Sequence, residues 1–144
     1  MTTFILIHGS YQGGWIWQPV ATRLRAQGHL VHAPSLDGCA DRAGQLRPGI
    51  TVETQAAEIA QLLFYVDLHD VVLVGTSSGG MVLAKTAELA RERVARVVFA
   101  DALALQNGEA VSDIVTRPAG IITGLALGPP PQDVEGRLFS TLTP

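Results

Sequence analysis

The stretch Val71–Thr86, VVLVGTSSGGMVLAKT, sets four apolar residues against a turn rich in serine and glycine, followed by a segment with helical spacing. A short, unbroken apolar run suits a strand covered on both faces, and strands of that kind belong to parallel sheets. The turn then falls at the carboxyl end of the sheet, where open α/β folds place their ligands. One segment thus constrains both the fold class and the position of a site.

The rest of the chain repeats the pattern. Phe4–Ile7 is another apolar run, closed by His8-Gly9. Gln18 to Gln27 reads as a helix, with Pro19 suited to the first turn, Val20, Ala21 and Leu24 on one face, and Gly28 placed to end it. His29 to Pro34 reads as a strand broken at its proline. Thr51 is placed to cap a second helix, in which Ala56, Ile59, Leu62, Leu63 and Val66 recur at helical spacing. Residues 78–91 give a third helix and Arg96–Ala100 a fourth strand. Strands alternating with helices imply right-handed crossovers and a parallel sheet with helices on both sides, so the predicted class is α/β. Beyond Leu105 the pattern fades into prolines and scattered glycines, which predicts a core over residues 1–104 and a separate region over 105–144.

Composition narrows the function classes. The 144 residues are 47% hydrophobic, enough for one domain with a buried core. A net charge of −3 without any run of like charges gives no footprint for nucleic acid or an anionic membrane. No window approaches a membrane-spanning length, and residues 1–10 hold too short an apolar run for a signal segment. The expected partner is a small molecule and the expected compartment the cytoplasm. A single cysteine, Cys39, forms no internal disulfide and has no neighbouring base, so it reads as a loop residue. No His, Cys or Asp pair has metal-ligand spacing, and neither metal nor cofactor is expected.

The serine and glycine turn admits three chemistries. A phosphate-binding P-loop needs Lys directly after its second Gly, whereas Met81 follows Gly80 here. A dinucleotide fingerprint needs a second Gly that Gly75-Thr76-Ser77 lacks. Gly75-Thr76-Ser77-Ser78-Gly79 does match G-x-S-x-G, the sharp strand-to-helix turn that lifts a nucleophilic serine above the sheet. Ser77 is therefore the candidate nucleophile, and Gly75 and Gly79 keep bulk away from its strained backbone. An oxyanion on the acyl carbon needs preorganised donors. The Ser78 N–H at the helix start and the Ser10 N–H in the loop after the first strand are the candidates. Gly9, Tyr11 and Trp15 share that loop and are candidate pocket residues, while His8 reads as a brace for it and Trp17 as core. His29, His32 and His69 are expected at the surface, and Asp37, Asp41 and Arg42 in a solvated loop.

Three segments together, FILIHGSYQGGWIWQPVATRLRAQGHLVHAPSLDG, VVLVGTSSGG and RVVFADALALQNGE, resemble the α/β-hydrolase superfamily. Within it they are most similar to plant methylesterases and hydroxynitrile lyases and to bacterial pyrethroid and carbamate hydrolases. The resemblance implies a three-layer sandwich with a mostly parallel sheet, with residues 105–144 as the start of a cap. It also implies Ser77 as nucleophile and Ser10 and Ser78 as oxyanion donors. In such proteins an acid and then a histidine follow the serine, and the resemblance places both in a further C-terminal segment of the same protein. Asp101 is a minor candidate for the acid. The implied activity is cleavage of a small, largely apolar carboxylic ester or carbamate through an acyl-enzyme. A hydroxynitrile-lyase-like reaction and non-catalytic binding of a small ligand are the alternatives on the same fold.

Overall fold

The structure is a computed structural model, and it describes residues 1–114. The chain divides into two compact units, Met1–Ala104 and Leu105–Pro144. In the first, four strands are β1 (Thr3–Ile7), β2 (Leu30–His32), β3 (Val71–Ser77) and β4 (Val94–Ala102), and three helices are α1 (Gln18–Ala26), α2 (Val52–Tyr65) and α3 (Gly79–Leu89). In the second, the described part holds one helical turn, Val111–Ile114.

All strand pairs are parallel and the order is β2-β1-β3-β4. Alternation within β1 shows why both faces are covered. Ile5 and Ile7 pack with Ala56, Ile59 and Leu63 of α2 and Val82 and Leu83 of α3, whereas Leu6 packs with Trp17, Ala21 and Val31. The sheet is the middle of three layers, as expected for the α/β class. Because the chain leaves β1 toward β2 on one side and later lays β3 on the other, the gap between the carboxyl ends of β1 and β3 is a topological switch point. Crevices for ligands open there in doubly wound sheets.

Local chemistry explains the element ends. Thr51 and Thr54 form a reciprocal cap at the start of α2: the Thr51 hydroxyl accepts from the Thr54 N–H at 3.2 Å, and the Thr54 hydroxyl accepts from the Thr51 N–H at 2.9 Å. Several expectations need correction. β2 stops at His32, short of Pro34, since proline offers no N–H to a ladder. β4 is longer than Arg96–Ala100 and runs on to Ala102 alongside the turn after β3. Val20 is exposed because Ala21 and Leu24 occupy the inward stripe of α1, and Val66 is exposed at the end of α2. Val97, Val98 and Phe99 of the edge strand β4 are also exposed.

Candidate active site

β3 ends at Ser77, whose φ of +51° lies in the left-handed region that a β-carbon disfavours. A register irregularity in the β3–β4 pairing between Gly75 and Ser77 marks the same turn, and the Leu103 N–H holds the Ser77 carbonyl at 2.9 Å. Ser77 is exposed at the carboxyl end of its strand, and α3 begins two residues later. The glycines around it are required by space. A β-carbon on Gly79 would lie 2.5 Å from the His8 carbonyl oxygen and 2.8 Å from that of Ile7, and one on Gly80 would lie 2.3 Å from the Leu103 carbonyl oxygen. These are backbone atoms, so α3 can approach β1 and β4 only where side chains are missing.

The second component is the loop after β1. Gly9 lies against Ser77, since a β-carbon on Gly9 would be 2.7 Å from Ser77 Cβ and 3.2 Å from Ser77 Oγ. The Gly9 N–H is taken by Gln12 Oε1 at 2.9 Å, which leaves the following amide, that of Ser10, as the one facing α3. The Ser10 N–H donates to Ser78 Oγ at 2.8 Å, and the Ser10 and Ser78 hydroxyls are hydrogen-bonded at 2.8 Å. Tyr11 continues the loop with φ +59° and is exposed, as is Trp15, whereas Trp17 is buried as expected. The structure thus brings Gly9, Ser10, Ser77 and Ser78 to one place, with Tyr11 exposed in the same loop and Trp15 exposed in the 3-10 turn Gly14–Trp17 that follows it.

His8 braces this loop as expected, but its partner Leu36, 28 residues away, was not visible in the sequence. His8 is fully buried, with Nδ1 2.8 Å from the Gly9 carbonyl oxygen and Nε2 accepting from the Leu36 N–H at 2.8 Å. Those partners fix a neutral tautomer carrying its proton on Nδ1. Burial pushes the imidazole below its ordinary value, against smaller opposing effects from the Gly9 carbonyl and the charge of Asp41. Ser35 Oγ accepts from the Gly14 N–H at 3.0 Å and adds a second tie to the same loop.

Asp37 is a correction to the expected solvated loop, for its side chain is 2% exposed. Both its oxygens meet Arg47, at 3.1 and 2.7 Å, and Arg42 reaches it at 3.5 Å while forking onto Glu58 at 2.8 and 3.0 Å. The hydrogen bond from Arg47 holds the Asp37 carboxyl below its usual range, outweighing the opposing effect of burial. An isolated buried carboxylate is unfavourable, and the two arginines remove that cost. Sequence alone gave no register for these partners, which arrive from 5 and 10 residues away in a loop without periodicity.

The histidines lie elsewhere. His8 is engaged as described. His29 Nδ1 accepts from the Thr2 N–H at 3.2 Å, and His69 Nε2 lies 3.0 Å from Asp67. His32 is half-buried, with Nε2 unpartnered among the described residues. Only His69 is as exposed as expected, since β1 and α1 partly cover His29 and His32. No hydrogen bond joins any of them to Ser77 among the described residues. Asp101 stands exposed at the end of β4 with φ +51°, one residue before the Ala102 that pairs with Ser77. Burial raises the Cys39 thiol, the reverse of what an activated cysteine requires. No described helix is long and apolar enough to cross a membrane, and no group of three or more His, Cys, Asp or Glu among the described residues could hold a metal ion.

A parallel sheet with a left-handed serine at the end of a strand, a helix started by glycines, and an amide-bearing loop on the neighbouring strand places the chain in the class of α/β proteins with a G-x-S-x-G turn between strand and helix. The profile described as the alpha/beta hydrolase fold matches residues 2–138, and the chain belongs to that family. It is 32% identical over 117 residues to a carbendazim-hydrolyzing esterase of Nocardioides sp. strain SG-4G, covering 81% of this chain and 48% of that protein. It is 36% identical over 98 residues to methylesterase 1 of Arabidopsis thaliana, covering 67% of this chain and 37% of that protein. Among solved structures, an extracellular α/β-hydrolase from a Paenibacillus species superposes with a TM-score of 0.72 at 33% identity, over 78% of this chain and 46% of that one. The chain therefore spans less than half the length of these relatives.

Proposed function

We propose that this chain carries the nucleophile and oxyanion half of a serine hydrolase that cleaves a small, largely apolar carboxylic ester or carbamate. The observation that carries the reading is Ser77: a non-glycine residue with φ +51°, exposed at the switch point and enclosed by glycines that could bear no side chain. Strain of this kind persists where the surrounding structure enforces it, and it concentrates at functional turns. Relatives named as esterases and methylesterases support the reaction class.

In this mechanism Ser77 Oγ attacks the acyl carbon and its proton passes to a histidine. The carbonyl oxygen becomes an oxyanion held by the N–H groups of Ser10 and Ser78, each worth roughly 3 kcal/mol in such sites. Collapse expels the alcohol, which takes the proton back from the histidine. Water then repeats the sequence on the acyl- or carbamoyl-enzyme. Since none of the four histidines in residues 1–144 meets Ser77, the reading assigns the base, and the acid that orients it, to residues outside this segment, with Asp101 the lesser candidate for the acid. The unit from Leu105 onward is read as the start of a cap, and Gly9, Tyr11 and Trp15 as pocket residues.

Gly9 weighs toward hydrolysis and against a lyase. A bulkier residue there would press on Ser77 Oγ, whereas glycine leaves room for an acyl carbon beside it. The test is a titration of the full-length protein with an activated aryl ester such as 4-nitrophenyl acetate. A stoichiometric burst of 4-nitrophenol that Ser77→Ala abolishes supports the acyl-enzyme; a wild-type protein without a burst, or a burst that persists in Ser77→Ala, would overturn it.

A further inference from the structure

Ser78 sits at the N-cap of α3, where a serine side chain ordinarily accepts from an amide of the helix's own first turn. Here its backbone is already helical, at φ −64° and ψ −16°, and the side chain makes no cap bond. The preceding residue explains this: the left-handed Ser77 delivers the chain into the helix one residue early, and the Ser78 hydroxyl is turned away from its helix. It meets the β1 loop, accepting from the Ser10 N–H at 2.8 Å and bonding the Ser10 hydroxyl at 2.8 Å.

An amide has one hydrogen, and that of Ser10 is already spent. We infer that the Ser78 hydroxyl is an internal occupant of the oxyanion site, which must rotate about its own Cα–Cβ bond before the Ser10 N–H can serve a substrate oxygen. The inference rests on the hydrolase reading above and adds a gate to the same site. Ser78 Oγ, itself a hydroxyl oxygen 2.8 Å from the amide, stands where a reacting carbonyl oxygen would have to stand. Being fixed to α3, it competes with substrate at a high effective concentration, more effectively than a free water that must be immobilised. The Ser10 hydroxyl is its second anchor. A neutral carbonyl is a weaker acceptor than a developing oxyanion, so the gate opens most readily for the charged transition state and resists neutral ligands that only occupy the pocket.

The consequence runs opposite to the usual effect of deleting a polar active-site group. Ser78→Ala keeps the Ser78 N–H and releases the Ser10 N–H. One net hydrogen bond corresponds to about a two- to tenfold change in an equilibrium. In the full-length protein, kcat/KM for 4-nitrophenyl acetate is expected to rise roughly three- to tenfold in Ser78→Ala. Ser10→Ala, which removes only the second anchor, is expected to give a rise of about two- to threefold, and the double variant should match Ser78→Ala alone, because both substitutions open one gate. Benzeneboronic acid, whose anionic adduct on Ser77 puts an oxygen in the same place, should bind more tightly by the same factors. Thermal melts establish that each variant is folded; if Ser78→Ala is not, Ser10→Ala with the boronic acid decides. A fall in kcat/KM, a change below about 1.5-fold, or independent multiplicative effects of the two substitutions would overturn the gate. Failure of the hydrolase reading looks different, as a wild-type protein without a burst or a Ser77→Ala variant that keeps one.

Discussion

Replacing Gly79 by alanine adds one methyl group at the place where α3 meets the end of β1. Its β-carbon would stand 2.5 Å from the His8 carbonyl oxygen, 2.8 Å from that of Ile7 and 3.0 Å from the His8 carbonyl carbon. A comfortable carbon–oxygen contact is about 3.4 Å, so the overlap is roughly 0.9 Å against main-chain atoms. No rotamer change relieves it. Either α3 lifts or the end of β1 retreats, and both carry a candidate oxyanion donor with them. Overpacking by a methylene costs typically 1–3 kcal/mol; an obstacle of backbone puts Gly79→Ala at the upper end, about 3 kcal/mol. Misplacement of donors by about 1 Å costs on the order of a hundredfold in rate. Urea denaturation and ester turnover measure the two effects. Gly44→Ala is the control, because nothing lies within 4 Å of a β-carbon there, and it should change stability by less than about 0.5 kcal/mol. If Gly79→Ala is as harmless as Gly44→Ala in both assays, the close approach of α3 to β1 is not what shapes the turn.

Other expectations follow from the same contacts. His8 is held neutral below its ordinary value, so stability should decline as pH falls from about 6.5 toward the lower folded-state value, where the unfolded chain takes up a proton that the folded one resists. His8→Asn should flatten that slope in urea midpoints measured from pH 8 to 5, and an unchanged slope would remove His8 as the cause. Asp37 is held below the usual carboxylate range by Arg47, so its contribution is present above about pH 4 and is lost as pH falls through the folded value. Asp37→Asn should destabilise by about 2 kcal/mol at pH 7, with the deficit shrinking in acid. A constant deficit across that range would place the effect in packing. Gly9→Thr should cut ester turnover by at least tenfold, since its β-carbon would fall 3.2 Å from Ser77 Oγ. Full activity in that variant would show that the nucleophile has space to spare.

The parts of this fold that were legible in sequence are those where local chemistry and tertiary demand agree. The apolar runs of β1 and β3 announce strands buried on both faces, and Thr51 marks the start of α2 through its own hydroxyl. The Ser77 turn was legible because its strain demands glycines at fixed offsets. Less visible was what depends on partners distant in sequence. Asp37 looks like any loop acid until Arg42 and Arg47 fold onto it. His8 could be read as a brace, but its use of the Leu36 amide 28 residues away could not. The Ser10–Ser78 contact joins residues 68 apart, and no spacing rule connects them. β4 outran its expected end because its last residues follow the bulged turn of β3 and not a hydrophobic pattern of their own.

The central claim is that Ser77 is a nucleophile, and the most direct measurement is the mass of the full-length protein after reaction with a fluorophosphonate, followed by peptide mapping. The account predicts one phosphonyl group per chain, with fluoride as leaving group, located on Ser77 and lost in Ser77→Ala. An unmodified Ser77 in a folded protein that still hydrolyses 4-nitrophenyl acetate, or a label carried by another residue, would contradict it.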